Sequence, residues 1–299
     1  MTTYRSPQSL IAMIGRVHSV RGRRQAGVYS IEGTRLVERA LRARAPLEAV
    51  LVSEALARGT DPRLRRLLDD LAVAGCPVMT APDNTLAKLT EGRDLGHILG
   101  LVKLPPRIGL SDLSASHLST GDTHQPVSPA RLLLAAVDIA DPGNVGALTR
   151  TAHAGGAAAL LAVGDGDPYH PRATRISRGS IFKLPIIQYE TAAEMIADLR
   201  DHAVTVVGTA AGEAADDEIL MGGPIPLQKF NWPGRDTAIL MGNEAGGLPP
   251  DIQATLDHTV TIPMPGGVDS YSVNAAAAIT LYVASQSLAT QTAGGDDRA

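Results

Sequence analysis

The sequence predicts an α/β protein in two parts: a small α/β sandwich, then a larger parallel sheet with helices on both faces. Three observations predict it. Apolar runs of strand length alternate with segments of helical spacing along most of the chain. Residues 105–129, rich in Ser, Thr, Pro and Gly, show neither periodicity and separate two such alternations. Charge divides at the same place: residues 1–107 carry 17 Lys+Arg against 10 Asp+Glu, and residues 108–299 carry 10 against 21.

The first part, residues 1–107, opens with a helix over 9–20 and a short strand over 28–31. Leu36, Val37, Ala40 and Leu41 have helical spacing within 34–44. A strand over 47–52, a helix over 62–72, a short strand over 77–79, a helix over 84–89 and a strand over 97–102 complete it. Residues 108–130 form the linker. In the second part, residues 131–290, the apolar run 132–137 is a strand, followed by a turn and a helix over 145–155. Further buried strands fit 159–163, 185–188, 204–207 and 238–241, with helices between them, notably 192–200. Uninterrupted apolar strands separated by helices imply a parallel sheet covered on both faces. The last helix spans 272–289, and residues 291–299 read as a frayed tail.

Composition narrows the class. With 44% apolar residues over 299 positions the chain is not intrinsically disordered. Cys76 is its only cysteine, which excludes an internal disulfide and suits a reducing cytoplasm. The uncharged stretch 6–15 is too short for a membrane span and lacks the layout of a secretory signal. A basic first part ahead of an acidic body suggests that the first part meets a polyanion; a solvated Arg-rich face is the competing explanation.

Three loops at strand ends stand out. They are Asp141-Pro142-Gly143-Asn144-Val145-Gly146, leading into the helix of Arg150; Gly242-Asn243-Glu244-Ala245-Gly246-Gly247; and Ile262-Pro263-Met264-Pro265-Gly266-Gly267, running on through Asp269-Ser270-Tyr271-Ser272-Val273-Asn274. In a parallel sheet, ligands gather at such ends. Each loop alone has an ordinary structural explanation, as a turn, a tight connection or a helix cap at Ser270 or Ser272. Together they suggest a site where backbone approaches a ligand closely. Neither G-x-G-x-x-G nor G-x-x-x-x-G-K-[ST] occurs. Ser180-Ile181-Phe182-Lys183 matches S-x-x-K without its partner motifs. No zinc spacing can be assembled from scattered His residues and one Cys, and Asp216-Asp217-Glu218 reads as a solvated loop.

Taken in order, the loops resemble the three signature motifs of the SpoU/TrmH family of RNA ribose 2′-O-methyltransferases, within the SPOUT superfamily. The matching segments are DPGNVGALTRTAHAGG (141–156), ILMGNEAGGL (239–248) and IPMPGGVDSYSVNAAAAITLY (262–282), with GDGDPYHPRATRISRGSIFKLPI (164–186) following the first. The resemblance covers roughly residues 131–285. The segments VYSIEGTRLVERAL (28–41) and GHILGLVKLP (96–105) resemble the substrate-binding domain often fused in front, which is like a small ribosomal RNA-binding protein.

The resemblance implies a SPOUT sheet closed by a deep trefoil knot, a rare exception to unknotted topology, with S-adenosylmethionine (SAM) as cofactor, held by the backbone at Gly242, Ile262 and Tyr271. It implies methyl transfer to a ribose 2′-hydroxyl of ribosomal or transfer RNA, without a metal. Asn144, Arg150, Glu244 and Ser270 take the catalytic positions. Arg150 is a poor base; its expected work is to hold phosphate and stabilise the developing alkoxide. Asn144 would orient Arg150 or the sugar, Glu244 would hold the second loop or pair with Arg150, and Ser270 would position phosphate. Arg16, Arg21, Arg23, Arg24 and Arg178 would contact RNA. Family members pair through this domain, which implies a homodimer; the last helix, with Ala275 to Ala278, Ile279, Leu281, Tyr282 and Val283, carries more apolar surface than one face needs.

One departure matters. The family usually reads S-L-N-V-S where this chain has Ser270-Tyr271-Ser272-Val273-Asn274, so the asparagine and the second serine have exchanged places. Positions 272 and 274 point roughly 200° apart on a helix, so Asn274 does not simply substitute for the amide missing at 272. The alternative is therefore a non-catalytic RNA-binding protein that keeps the knotted fold. Retention of Asn144, Arg150 and Glu244 together favours the enzyme. An unrelated nucleotide-binding enzyme would need a phosphate loop that the chain lacks.

Overall fold

The structure, a computed structural model, describes residues 4, 6–90, 97–113, 130–212, 223–266 and 269–294. Packing divides the chain into two compact units: Met1–Pro106 with Asp167–Lys183, and Arg107–Gly166 with Leu184–Ala299. Among the described residues no helix is long and apolar enough to cross a membrane.

In the first unit α1 (Pro7–Arg16) and α2 (Val20–Ala26) precede β1 (Val28–Glu32), α3 (Thr34–Arg42), β2 (Leu47–Ser53), α4 (Glu54–Arg58), α5 (Pro62–Val73), β3 (Val78–Ala81), α6 (Asp83–Leu89) and β4 (Ile98–Lys103). The sheet order is β1-β4-β2-β3, with only the β2–β3 pair parallel. Alternation on the two central strands builds both layers. Ala49, Leu51, Leu99 and Leu101 pack with Leu10 and Ile14 of α1 and Leu86 of α6. On the alternate positions Val50, Val52, Ile98 and Val102 are equally buried, as are Leu36, Val37 and Ala40 of α3 and Leu64, Leu67 and Leu71 of α5. The helix expected over 9–20 is two helices. Ser19 accepts the Gly22 amide at 3.0 Å and starts α2 as its N-cap, so the chain turns after Arg16.

The second unit begins before its first strand. Leu110 and Leu113 are buried in its core, so this part of the expected linker is packed structure; residues 114–129 lie outside the described residues. Then follow β5 (Leu132–Val137), α7 (Pro142–Ala154) and β6 (Ala159–Val163). The chain next gives residues 167–183 to the first unit, including α8 (Pro171–Ile176), and returns with β7 (Ile186–Tyr189). The remainder comprises α9 (Ala192–Asp201), β8 (Thr205–Ala210), β9 (Ile225–Pro226), β10 (Thr237–Met241), α10 (Pro250–Gln253), β11 (His258–Thr261) and α11 (Val273–Gly294). The acidic cluster 216–218 and residues 295–299 of the expected tail lie outside the described residues.

This sheet is parallel throughout, in the order β7-β6-β5-β10-β8-β11-β9. β5 and β6 are buried at every position, as expected when both faces are covered. Leu133, Ala135 and Val137 pack with Met195, Ile196 and Leu199 of α9 on one face. On the other face α7 and α11 pack against β5 and against each other. The chain steps outward from β5 to β7, then resumes on the opposite side with β8, and β10 fills the gap between β5 and β8. That reversal makes the carboxyl ends of β5 and β10 a topological switch point, the usual place for a ligand crevice.

Candidate functional site

The first loop belongs to the helix that follows it. Asp141 caps α7, its carboxylate accepting the Asn144 amide at 3.1 Å, and Pro142 occupies the first turn. The helix therefore starts at Pro142, ahead of the expected 145, and Asn144 lies in its first turn. The Asn144 Nδ2 donates to Glu244 Oε1, and its Oδ1 accepts from Asn274 Nδ2 at 3.0 Å. First, second and third loops are thus joined through one side chain.

The second loop is held by its own backbone. Asn243 and Gly247 exchange amide-to-carbonyl hydrogen bonds of 3.1 and 2.9 Å, while the Asn243 Oδ1 accepts from the amides of Ala245 at 3.0 Å and Gly246 at 2.8 Å. Gly247 has φ +68°, which favours glycine. At Gly242 a Cβ would fall well inside 3.0 Å of the Gly247 carbonyl carbon and the Leu248 nitrogen, so only glycine lets the two loop ends lie together. Glu244 stands exposed at the tip.

The third loop leaves β11 with Ile262 half-buried and Met264 buried, and ends where the Ser272 hydroxyl accepts the Ala275 amide at 3.4 Å. Ser272 is the N-cap of α11. Its side chain turns back on its own helix, whereas that of Asn274 reaches Asn144.

The second and third loops wall a cavity of about 630 Å³ at the ends of β8, β10 and β11. Gly242, Glu244, Ile262, Ser270 and Tyr271 line it, with apolar side chains of Leu248, Val260 and Met264. Its charged lining residues are Glu244 and Asp269, with no Lys or Arg among the described residues. Such a wall favours a cationic, partly apolar ligand and carries no cation to pair with a phosphate. Asn144 and Arg150 do not line it; Asn144 reaches its rim through Glu244, and Arg150 stands exposed further along α7. Asp269 carries no functional signal in the sequence, because an acid in a loop has no distinguishing pattern, and the exchanged motif marks Asn274 without showing that it reaches Asn144.

The arginines assigned to RNA sort differently. Arg16, Arg21, Arg24 and Arg178 are exposed. Arg23 is only 2% exposed: its guanidinium donates to the carbonyls of Val17 (2.7 Å) and His18 (2.9 Å) and pairs with Asp167. A guanidinium buried and paired in this way is not within reach of a phosphate, which corrects the expectation for Arg23. The segment 167–183 is fixed to the same unit by Arg175 on Glu32 at 2.9 Å, by Arg39 donating to the Arg178 carbonyl and by a Tyr29–Tyr169 ring pair with centroids 5.0 Å apart.

Known families match both parts of the chain. Residues 131–282 match the SpoU rRNA methylase family, and residues 30–103 match the RNA 2′-O ribose methyltransferase substrate-binding domain. The chain belongs to the SpoU methylase family. Within it, the chain is 33% identical to a 23S rRNA (guanosine-2′-O-)-methyltransferase RlmB of Acinetobacter baylyi, over 86% of this chain and 94% of that one. It is 25% identical to the 23S rRNA (guanosine(2553)-2′-O)-methyltransferase RlmP of Bacillus subtilis, over 89% and 92%. Among solved structures, the SpoU methyltransferase AviRb of Streptomyces viridochromogenes, in complex with AdoMet, shares the fold: TM-score 0.75, 24% identity, 94% of this chain and 98% of that one. The SpoU fold of this chain is therefore the α/β parallel-sheet architecture with the substrate-binding unit in front.

Proposed function

We propose that this SpoU-family enzyme methylates a guanosine ribose 2′-hydroxyl of large-subunit ribosomal RNA, with the methyl donor bound in the cavity under the second and third loops. The observation that carries the proposal is the convergence of all three signature loops, through Asn144, Glu244 and Asn274, at the rim of a single cavity walled by glycine backbone, apolar side chains and two carboxylates. The rRNA methyltransferases it resembles supply the substrate class.

The lining fits S-adenosylmethionine, which is a cation with a purine, a sugar and an amino-acid end. When bound it supplies an activated methyl group on a sulfonium. Gly242, Ile262 and Tyr271 would hold it, largely through backbone. Ile262, Met264 and Leu248 exclude water from the apolar part, and Glu244 and Asp269 favour positive charge. Ser270 and Arg150 would hold RNA phosphate, and Arg150 would stabilise the developing alkoxide while a phosphate oxygen of the RNA takes the 2′-hydroxyl proton. Alignment of the ribose hydroxyl by these residues would carry most of the rate, since the donor, when bound, would already supply an activated methyl group. Arg16, Arg21, Arg24 and Arg178 would bind RNA backbone. The deep trefoil knot belongs to this proposal, supported by the strand order in which β10 inserts between β5 and β8.

The same proposal includes a homodimer in the cytoplasm. Tyr282 is 64% exposed on α11, and Ala278 one turn before it is exposed too, an apolar stripe suited to a second copy. Light scattering at micromolar protein is expected to give twice the 31.2 kDa of one chain. The activity is tested by incubating the protein with labelled SAM and unmodified 23S rRNA or tRNA, then mapping 2′-O-methyl positions. Label in 23S rRNA at a guanosine is expected; label confined to tRNA would overturn the substrate, and SAM binding without transfer to any RNA would overturn the activity in favour of an RNA-binding role.

A further inference from the structure

We propose that Asn274 is a positioning residue of the methyl-transfer site: it fixes which way the Asn144 amide faces. The inference rests on the reading that this site methylates RNA, and it explains the exchanged third motif as a rewired link between loops.

Hydrogen-bond polarity dictates the arrangement. An ionised Glu244 only accepts, so Asn144 must turn its Nδ2 toward it. That leaves the Asn144 Oδ1 facing α11, where it needs a donor. Asn274 supplies one, its Nδ2 lying 3.0 Å away. Turning either amide over would set oxygen against oxygen. The direction therefore runs from Asn274 to Asn144 to Glu244, and each member requires the next. Ser272 does not take its place, because its hydroxyl lies against the Ala275 amide of its own helix, whereas the Asn274 side chain is the one that reaches Asn144.

A second observation separates this from an ordinary packing contact. The Asn274 Oδ1 is buried and has no hydrogen-bond partner among the described residues. Leaving a buried acceptor unpaired costs stability, so an asparagine kept here for stability alone is a poor choice. The arrangement makes sense if what matters is the donor that Asn274 turns toward Asn144.

The test uses the full chain in four forms: wild type, Asn274→Asp, Glu244→Gln and the double variant. Thermal unfolding, SAM calorimetry and single-turnover transfer to RNA are measured on each. A carboxylate at position 274 only accepts, so Asn144 must either face it with oxygen or turn away from Glu244. Transfer is expected to fall about 100-fold, the scale of a misplaced reacting geometry, with SAM affinity within about twofold of wild type. In the double variant the glutamine introduced at position 244 can donate to Asn144, and Asn144 to the aspartate introduced at position 274. That gives the same two bonds with opposite polarity. Its unfolding temperature should recover relative to Asn274→Asp, while transfer stays about 100-fold below that of Glu244→Gln alone.

Transfer that recovers together with stability would reduce Asn274 to a structural contact and overturn the proposal. So would unchanged transfer in Asn274→Asp, or a double variant with no recovery of stability. If Asn274→Asp does not fold, Asn274→Leu, which keeps the bulk and removes the donor, carries the same expectation of lowered transfer at unchanged SAM affinity, and unchanged transfer overturns it. A wild-type chain that binds no SAM would instead refute the reading on which the proposal stands.

Discussion

Gly242→Ala tests whether the second loop is built for close backbone approach. The added methyl would meet backbone atoms of Gly247 and Leu248, which cannot swing aside as a side-chain tip does. Relief requires the loop ends to part, and the bonds at risk are the two between Asn243 and Gly247, at 3.1 and 2.9 Å. At roughly 0.5–1.5 kcal/mol each, their loss costs about 1–3 kcal/mol. Residual strain if they are kept is of similar size, about 1–3 kcal/mol. Because the displaced backbone is cavity wall, the cost should appear in ligand affinity: 1.4 kcal/mol is roughly tenfold, so SAM binding should weaken about 5- to 100-fold. Gly246→Ala is the control in the same loop. The nearest atom to its Cβ would be the Asn243 Oδ1 at 3.8 Å, an ordinary contact, and its effect should stay within about 0.5 kcal/mol. Isothermal calorimetry with SAM, beside thermal unfolding, reads both. Equal affinities for the two variants would refute the argument that the Gly242 backbone shapes the cavity.

Arg150→Ala should lower single-turnover methyl transfer about 100- to 1,000-fold with SAM affinity nearly unchanged, and Arg150→Lys should recover little; unchanged transfer would remove Arg150 from the mechanism. Arg23→Ala takes the charge partner from Asp167 and the guanidinium donor from two carbonyls and should cost about 3–5 kcal/mol in denaturant unfolding. Arg21→Ala, on the exposed face of α2, should instead leave stability intact and reduce the salt slope of RNA binding by about 1. Burial holds the His170 imidazole below its usual pKa, against the opposing pull of Asp167, and its Nδ1 accepts the Arg172 amide at 3.1 Å as the cap of α8. The unfolded chain then takes up a proton that the fold resists, so stability is full above about pH 6.5 and is lost as pH falls below it. His170→Asn keeps a cap without the titration, and should lose less unfolding temperature than wild type between about pH 7.5 and about pH 5.5.

Much of the fold is legible because parallel strands announce themselves. Apolar runs alone bound residues 132–137 and 159–163 correctly, since both faces of each are covered. Short or polar elements are not legible: α4, α8, β9 and β11 have too few residues for a period to show. The helix expected over 9–20 breaks for a reason that the periodicity hides, the Ser19 cap. In the site, glycine-rich loops at strand ends point to the cavity, and Gly242, Glu244, Ile262, Ser270 and Tyr271 do line it. The Asn274 link does not show, because a contact across 130 residues of chain depends on how two helix starts face each other. Arg23 misleads for the opposite reason. A basic residue in a basic cluster reads as surface, and only the position of Asp167 reveals that it is buried.

Family domains and physical units divide this chain at different places. By sequence the segment 167–183 lies inside the methylase match, yet by packing it belongs with the substrate-binding unit. Its contacts within that unit are costly to break. The Glu32 side chain has no exposed surface and takes its charge partner from Arg175, and Arg23, almost as deeply buried, takes its own from Asp167. Glu32 and Arg23 would each lose an opposite charge if the stretches separated, a penalty that grows as the surroundings become less polar. The basic character of residues 1–107 is therefore partly internal. Of the arginines around α2, Arg23 neutralises an acid contributed from a distant stretch of chain, and the ones that present charge at the surface are Arg16, Arg21 and Arg24. The chain also passes between the units three times, after residues 106, 166 and 183, where a domain joined only at the 105–129 stretch would have one passage. Two of these passages, after residues 166 and 183, bound the segment that runs between β6 and β7, so this connection owes its conformation to buried pairs in the substrate-binding unit as well as to the sheet whose strands it joins.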